Sequence, residues 1–310
     1  MTQKLPDSIT LGSSDVRVSP VGMGAWSWGD RLTWGGYSVD DVRAAFDTAI
    51  DGGITFLDTA EVYGMGMSEK LIGAMPGDWR STITLATKFF PFPWRVFKGQ
   101  FPRALRGSLK RLRLERVDLY QIHWPFSASE QWVGALGDAV EAGKVKLAGV
   151  SNFDVDQTRA AHDLLKARGI PLASNQINYS LIYRKWEKNG LLDVCRELGV
   201  TVIAYSPIGM GMLSGKYTPE NPPPGIRRRR YSADMLAKIQ PLIALLREIG
   251  QGHSGKTSTQ VAINWTVAKG TLSIPGARNQ KQAEEIVGTL GWGLTPEEVA
   301  ALDAASDKII

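Results

Sequence analysis

Eight short apolar runs, each separated from the next by a stretch of helical periodicity, restrict this chain more than any other feature. They are Val21–Trp26, Ile54–Asp58, Ile83–Lys88, Val117–His123, Val145–Val150, Ala173–Ile177, Val200–Ser206 and Thr271–Ile274. Runs this short, rich in β-branched residues, suit buried strands. Between them, Val39, Val42, Phe46, Ala49 and Ile50 fall on one helical face, and Trp132, Leu136 and Val140 on another. Alternating strands and helices imply parallel βα units, and eight of them imply closure into a (β/α)8 barrel, the TIM-barrel class of α/β fold. An open doubly wound sheet would want a GxGxxG turn after an early strand. The nearest matches, GMGMSEKLIG from Gly64 and GMGMLSG from Gly209, lack that spacing.

Some additions to the minimal barrel are visible. Ile9–Leu11 and Val16–Val18 flank GSSD, a hairpin signal, so an N-terminal β-hairpin is expected as a plug. After Ser206 a long connection, PIGMGMLSGKYTPENPPPGIRRRRYS, precedes the helical face that resumes near Met235. A loop of that length in a compact domain is usually functional. Ser258–Lys269 supplies a further helix, and Thr295-Pro296-Glu297-Glu298 is a capping box that opens the last one. Residues 1–310 therefore read as one barrel domain with extra C-terminal helices.

Composition narrows the partners. The chain is 43% hydrophobic and 22% charged, ordinary for a soluble protein. No apolar run approaches the roughly 20 residues that span a bilayer. The start, MTQKLPDSITLG, lacks the apolar core of a signal peptide, so a cytoplasmic protein is expected, or a plastid stromal one if the form is processed. The single cysteine, Cys195, agrees with a reducing compartment and reads as a helix-face core residue. His123, His162 and His253 show no metal-ligand spacing, so no metal is expected. The net charge of +5 is dispersed except at Arg227–Arg230, which reads as a solvated Pro-rich loop rather than a nucleic-acid surface. An anionic cofactor is the more economical partner.

The polar residues at the C-terminal ends of the strands carry the chemistry, because a closed barrel gathers those ends at one mouth. In order they are Asp58 with Tyr63 just beyond, Lys88, His123, Ser151 with Asn152, Gln176, and Tyr205 with Ser206. A phenol of ordinary pKa about 10 is a poor acid at neutral pH. An ammonium beside it, Lys88, should lower that value, and Asp58 is the carboxylate that keeps Lys88 charged. His123 can bond the oxygen being protonated. Such a set protonates an oxygen as charge develops on it, and a hydride source must complete a reduction.

FLDTAEVYG, LATKF, LYQIHWP, GVSNF, SNQINYS, AYSP and IPGARNQKQAEE resemble the motifs of the aldo-keto reductases, in order and from about Ile9 to Ala305. Within that family the chain is most similar to the pyridoxal-reductase-like branch. The resemblance implies reduction of a small-molecule aldehyde or ketone with NADPH, and an Asp58, Tyr63, Lys88 and His123 tetrad. It also implies that Ser151, Asn152 and Gln176 bind the nicotinamide carboxamide while Tyr205 stacks on its ring. Ser206 would also contact the cofactor, and Pro207, Ile208, Gly209, Gly211, Leu213, Gly215 and Lys216 would follow the pyrophosphate. Gly276, Ala277 and Arg278 would meet the 2′-phosphate, with Gln282 and Glu285 near ribose and adenine. Ile286 stands where the family often has asparagine, which removes an expected bond to adenine. Trp26, Trp28 and Trp124 are the expected substrate-side aromatics, with Trp34, Phe89 and Trp94 as further candidates. A monomer is expected; the alternative is an NADPH-binding regulatory subunit of the potassium-channel β-subunit type.

Overall fold

The hairpin and the first strand are held in place by the floor of the barrel. In the computed structural model, which describes residues 4–126 and 129–310, β1 (Ile9–Thr10) and β2 (Arg17–Val18) pair antiparallel. Leu11 and Val18 from this hairpin pack against Phe56, Ala86, Leu119, Leu147, Ala173 and Ile203 inside the ring. The turn fits closely: Gly12 has a φ of +59°, and a Cβ on it would lie 2.7 Å from the Ala173 Cα. The expected plug is present, at the N-terminal ends of the strands.

The ring itself consists of β3 (Met23–Gly24), β4 (Phe56–Asp58), β5 (Thr84–Phe89), β6 (Val117–Ile122), β7 (Val145–Ser151), β8 (Leu172–Asn178), β9 (Thr201–Tyr205) and β10 (Leu272–Ile274). Neighbours in sequence are neighbours in the sheet and all pair in parallel. Isolated bridges Val21–Ser273 and Gly24–Gly276 close β3 onto β10. All eight expected strands are found. The first is much shorter than Val21–Trp26, since Pro20 and Pro275 beside this seam have no N–H to offer a ladder.

The helices are α1 (Arg31–Trp34), α2 (Val39–Asp51), α3 (Met67–Gly73), α4 (Gln100–Leu112), α5 (Ser129–Glu141), α6 (Val155–Lys166), α7 (Lys185–Lys188), α8 (Leu191–Glu197), α9 (Ile226–Arg230), α10 (Ala233–Gly252), α11 (Ser258–Ala268), α12 (Gln280–Val287) and α13 (Pro296–Asp307). Trp132 and Leu136 of α5 are buried against the outer face of the strands, as their spacing implies. On α2, Val42, Phe46 and Ala49 are buried but Val39 is exposed, because it opens the helix ahead of the contact with the sheet. The capping box at α13 is formed by Thr295 and Glu298, with Pro296 at the first turn. Cys195 is fully buried on α8, and burial pushes its thiol up to about 12, as befits an inert core residue. Among the described residues, no helix is long and apolar enough to cross a membrane.

Candidate active site

The mouth is organised by one ammonium. Lys88 points inward from the end of β5, fully buried, and all three of its N–H bonds are used. It donates to Asp58 Oδ2 at 2.6 Å, to the Thr59 carbonyl at 2.8 Å and to the Tyr63 hydroxyl oxygen at 3.2 Å. The other Asp58 oxygen accepts from Gln176 Nε2 at 2.8 Å and from Gln121 Nε2 at 3.3 Å. A buried pair is stable only when its remaining lone pairs and protons are satisfied, and here they are. Because the Tyr63 oxygen accepts from Lys88, its own proton is left to be given elsewhere.

Tyr63 owes its place to a tight turn, Tyr63–Gly66, directly after the loop that leaves β4. Gly64 has a φ of +56°, and a Cβ there would come within 2.5 Å of the Gly29 carbonyl oxygen, so only glycine fits. The ring is partly accessible from the mouth and stacks on Trp26 at 6.2 Å, while His123 meets it edge-on at 5.7 Å. His123 Nδ1 is buried with no partner among the described residues.

One electrostatic expectation is overturned. Burial pushes the Tyr63 phenol well above its ordinary value, and the Asp58 carboxylate and Tyr205 push the same way. The ammonium at 3.2 Å is present as expected, but it does not acidify the free site. Burial lowers Lys88, with Asp58 opposing. Burial and then Lys88 hold His123 well below the usual imidazole range, so it is neutral. The resting mouth thus holds a neutral phenol and a neutral imidazole beside a charge pair.

Ser151 and Asn152 follow from the end of β7. Ser151 Oγ donates to the Gln176 carbonyl at 2.9 Å, and Asn152 Nδ2 donates to the His123 carbonyl at 3.2 Å. Asn152 has a φ of +63°, a left-handed conformation that asparagine tolerates. Tyr205 donates to Asn152 Oδ1 at 3.0 Å, and burial pushes its own hydroxyl up to about 12. These four groups form one hydrogen-bonded shelf beside the tetrad.

The opposite wall is made from loops. Ser206, Gly209, Gly211 and Gly215 all have positive φ, and Pro207 and Ile208 lie between them in a coil of tight turns. Leu213 does not face the groove. Its side chain is fully buried in the core, so only its backbone can follow a ligand. Lys216 is exposed beyond it. Past β10, Gly276 is exposed, while Ala277 is buried and its carbonyl accepts from Trp28. Arg278 donates to the Trp34 carbonyl at 2.5 Å, and its backbone N–H is held by Gln282 at 2.9 Å. Glu285 accepts from Thr257. Ile286 is buried in the core beneath α12, so its side chain is turned away from any ligand.

Three other expectations need correction. Trp28 is fully buried against Phe46 and gives its indole N–H to Ala277 at 2.6 Å, so it is a core residue and not a substrate contact. Phe89 likewise packs outside the barrel on Phe101 and Trp132. Trp26 and the exposed Trp124 do stand at the mouth. The run Arg227–Arg230 is a short helix rather than a loop. Arg228, Arg229 and Arg230 are exposed, but Arg227 is buried between the rings of Trp34 and Tyr217 at 5.3 and 5.5 Å. Arg227 Nε has no partner among the described residues. A dinucleotide phosphate fits a wall holding such a cation beside Arg278. Gln121 was the readable omission: it lies on the inward face of β6, two residues before His123.

The Aldo/keto reductase family model matches residues 20–307. The chain belongs to the aldo-keto reductases. Pyridoxal reductase, chloroplastic, of Arabidopsis thaliana is 40% identical, over 94% of this chain and 84% of that one. The glycerol dehydrogenase of Gluconobacter oxydans superposes with a TM-score of 0.83 at 27% identity, covering 98% of this chain and 96% of the other. An aldo/keto reductase of Klebsiella pneumoniae, solved with NADP and acetate, gives a TM-score of 0.76 at 27% identity, covering 95% and 94%.

Proposed function

We propose that this aldo-keto reductase reduces aldehydes and ketones with NADPH, with Tyr63 as the proton donor. The observation that carries the reading is the Lys88 ammonium donating to the Tyr63 oxygen at 3.2 Å while paired to Asp58 at 2.6 Å. Bound NADPH would supply the hydride. As negative charge grows on the carbonyl oxygen, Tyr63 gives up its proton and Lys88 stabilises the phenolate left behind. An alkoxide is a far stronger base than a phenolate, so the transfer runs downhill even from a phenol weakened by burial. Neutral His123 bonds the carbonyl oxygen and orients it. The Ser151, Asn152, Gln176 and Tyr205 shelf would hold the nicotinamide end, and Arg278, joined by Arg227, would meet the phosphates.

The complex of the Klebsiella pneumoniae structure with NADP supports the choice of cofactor, and the name of the Arabidopsis thaliana relative supports pyridoxal as a substrate. That relative's chloroplastic name makes a plastid stroma as reasonable a home as a cytoplasm. The test is loss of NADPH absorbance against a panel of pyridoxal, aromatic aldehydes, quinones and ketosteroids. No turnover with any of them would defeat the proposal. Gel filtration checks the further reading that the protein acts as a monomer; a tetramer would favour the channel-subunit role.

A further inference from the structure

Lys88 and Tyr63 belong to different elements, yet one short helix is tied to both. The helix α3 follows the Tyr63–Gly66 turn without a break, and its first turn carries Ser68 and Glu69, both fully buried. Ser68 Oγ lies 2.8 Å from Thr59 Oγ1 and donates to the Ala25 carbonyl at 2.9 Å. Thr59 is the residue whose carbonyl takes an N–H from Lys88. Glu69 reaches the other way. Its Oε1 accepts the Thr87 hydroxyl at 2.6 Å. Thr87 precedes Lys88 on β5, so its side chain lies on the outer face of the sheet while Lys88 points inward. Two supports of the ammonium, Thr59 and its own strand, are thus bonded to a single turn of helix.

A fully buried carboxylate is costly unless it is paired and hydrogen-bonded. Glu69 is both. Its Oε2 accepts Arg111 Nε of α4 at 2.6 Å, and Arg111 also donates to Ser108 Oγ at 3.2 Å. Arg111 lies across Gly66, the last residue of the turn that carries Tyr63, where a Cβ would meet Arg111 Cδ and Nε at 2.8 Å. The Glu69 side chain has no exposure and that of Arg111 25%, so the pair is weakly screened. Glu69 also acts on Lys88 at a distance. Burial lowers Lys88, and the Asp58 carboxylate and then Glu69 oppose it. Tyr63 and His123 face Lys88 inside the mouth. Tyr120, on the outer face of β6, shares the setting of Glu69 and is kept neutral by burial.

We propose that Glu69, held by Arg111, is a positioning residue for proton transfer: through Thr87 and the turn at Gly66 it sets the Tyr63 hydroxyl against the Lys88 ammonium. Its charge has a second task, since a carboxylate behind β5 favours the ammonium form of Lys88. The inference rests on the reductase reading above.

The test measures the single-turnover rate of benzaldehyde reduction from about pH 6 to 9, together with the NADPH dissociation constant, in the full chain and its variants. Glu69→Gln keeps the shape and can still accept from Thr87, but it removes the charge and leaves Arg111 without its counter-ion. Both changes disfavour the ammonium, so Lys88 loses its proton at a lower pH than in the wild type. The rate should fall about tenfold and fall further as pH rises, with NADPH affinity within about twofold. Thr87→Val cuts the link to β5 and keeps the charge, so its rate should fall about fivefold with a flat pH profile. It leaves the Glu69–Arg111 pair in place and carries the test where Glu69→Gln does not fold. A Thr87→Val rate within about twofold of the wild type, or a Glu69→Gln profile as flat as the wild type's, would overturn the proposal. A loss of NADPH affinity equal to the loss of rate would also overturn it, because a merely disturbed fold gives that result. No turnover by the wild type would instead defeat the reductase reading, so the two failures can be told apart.

Discussion

On the wall made by β4, β5 and β6, Asp58 and Lys88 have every charged atom engaged within the protein. On the facing wall, made by the connection after β9 and the segment after β10, Arg227 Nε has no partner among the described residues and the backbone turns repeatedly through positive φ. The difference follows from where the charges lie. A charge inside a barrel is costly unless its partners are built into the fold. Cations at a groove can keep temporary partners, here the Trp34 ring for Arg227 and the Trp34 carbonyl for Arg278, until an anion displaces them. The first wall is therefore set when the chain folds, and under the proposed function the second would be completed by the bound cofactor.

The largest effect should come from the group whose proton is spent. Tyr63→Phe removes only the hydroxyl, leaving the ring that stacks on Trp26. We expect turnover to fall about 10³-fold, in the range of a lost general acid, with NADPH affinity within a few-fold. Single-turnover rates and fluorescence titration check both. Substantial remaining reduction would move the proton donor to another residue, and the built-in wall would lose its purpose.

Lys88→Met separates the two walls in a different quantity. It leaves the Asp58 carboxylate buried with only the two glutamine amides. The expected cost is about 3 kcal/mol of folding stability, as for other broken buried pairs, measured by urea denaturation. Arg278→Ala, on the groove wall, should cost much less stability, since Arg278 is only partly buried. Equal losses would show that both walls are structural.

The same division decides what the sequence could tell. The meeting of Asp58, Tyr63, Lys88 and His123 at one mouth was legible because strand ends in a closed ring converge whatever their separation along the chain, so Asp58, Lys88 and His123 needed only their places in the pattern. Gln121 carried a signal, inward spacing on β6, that its neighbour His123 obscured. The loop wall was less legible, because side-chain direction in irregular backbone has no period to reveal it. Leu213 faces the core and Arg227 is buried in a run that reads as solvent-facing. Trp28 reads as a mouth residue from its place among the N-terminal aromatics, yet β3 ends at Gly24 and the irregular backbone beyond it turns the Trp28 ring into the core. The direction of the Tyr63 shift was invisible too, since it depends on burial that no motif encodes.

Cofactor choice tests the groove wall alone. We expect Arg278→Ala to lower the preference for NADPH over NADH about tenfold, the worth of one charge-assisted bond to a phosphate. Dissociation constants for both cofactors measure it. Equal losses for the two would mean that Arg278 acts through its bond to Trp34 and not on the 2′-phosphate.

The smallest expected effect is a near absence of pH dependence in the reduction direction, and it returns to the built-in wall. Tyr63 is pushed upward, so its protonated, donating form persists through neutral pH and past its ordinary value of about 10. His123 is pushed downward, so it is already neutral well below pH 6.5. Neither group changes state across the middle range. With NADPH saturating, kcat for carbonyl reduction should then vary by less than about twofold between pH 6 and 9. Alcohol oxidation needs the opposite form of Tyr63, the phenolate, and should climb about tenfold per pH unit over the same range while chemistry limits the rate. A reduction profile with a midpoint near 6.5 would mean that His123 titrates as an exposed imidazole. A fall centred near 8 would mean that the ammonium acidifies the phenol after all, and that Lys88 outweighs burial once cofactor is bound.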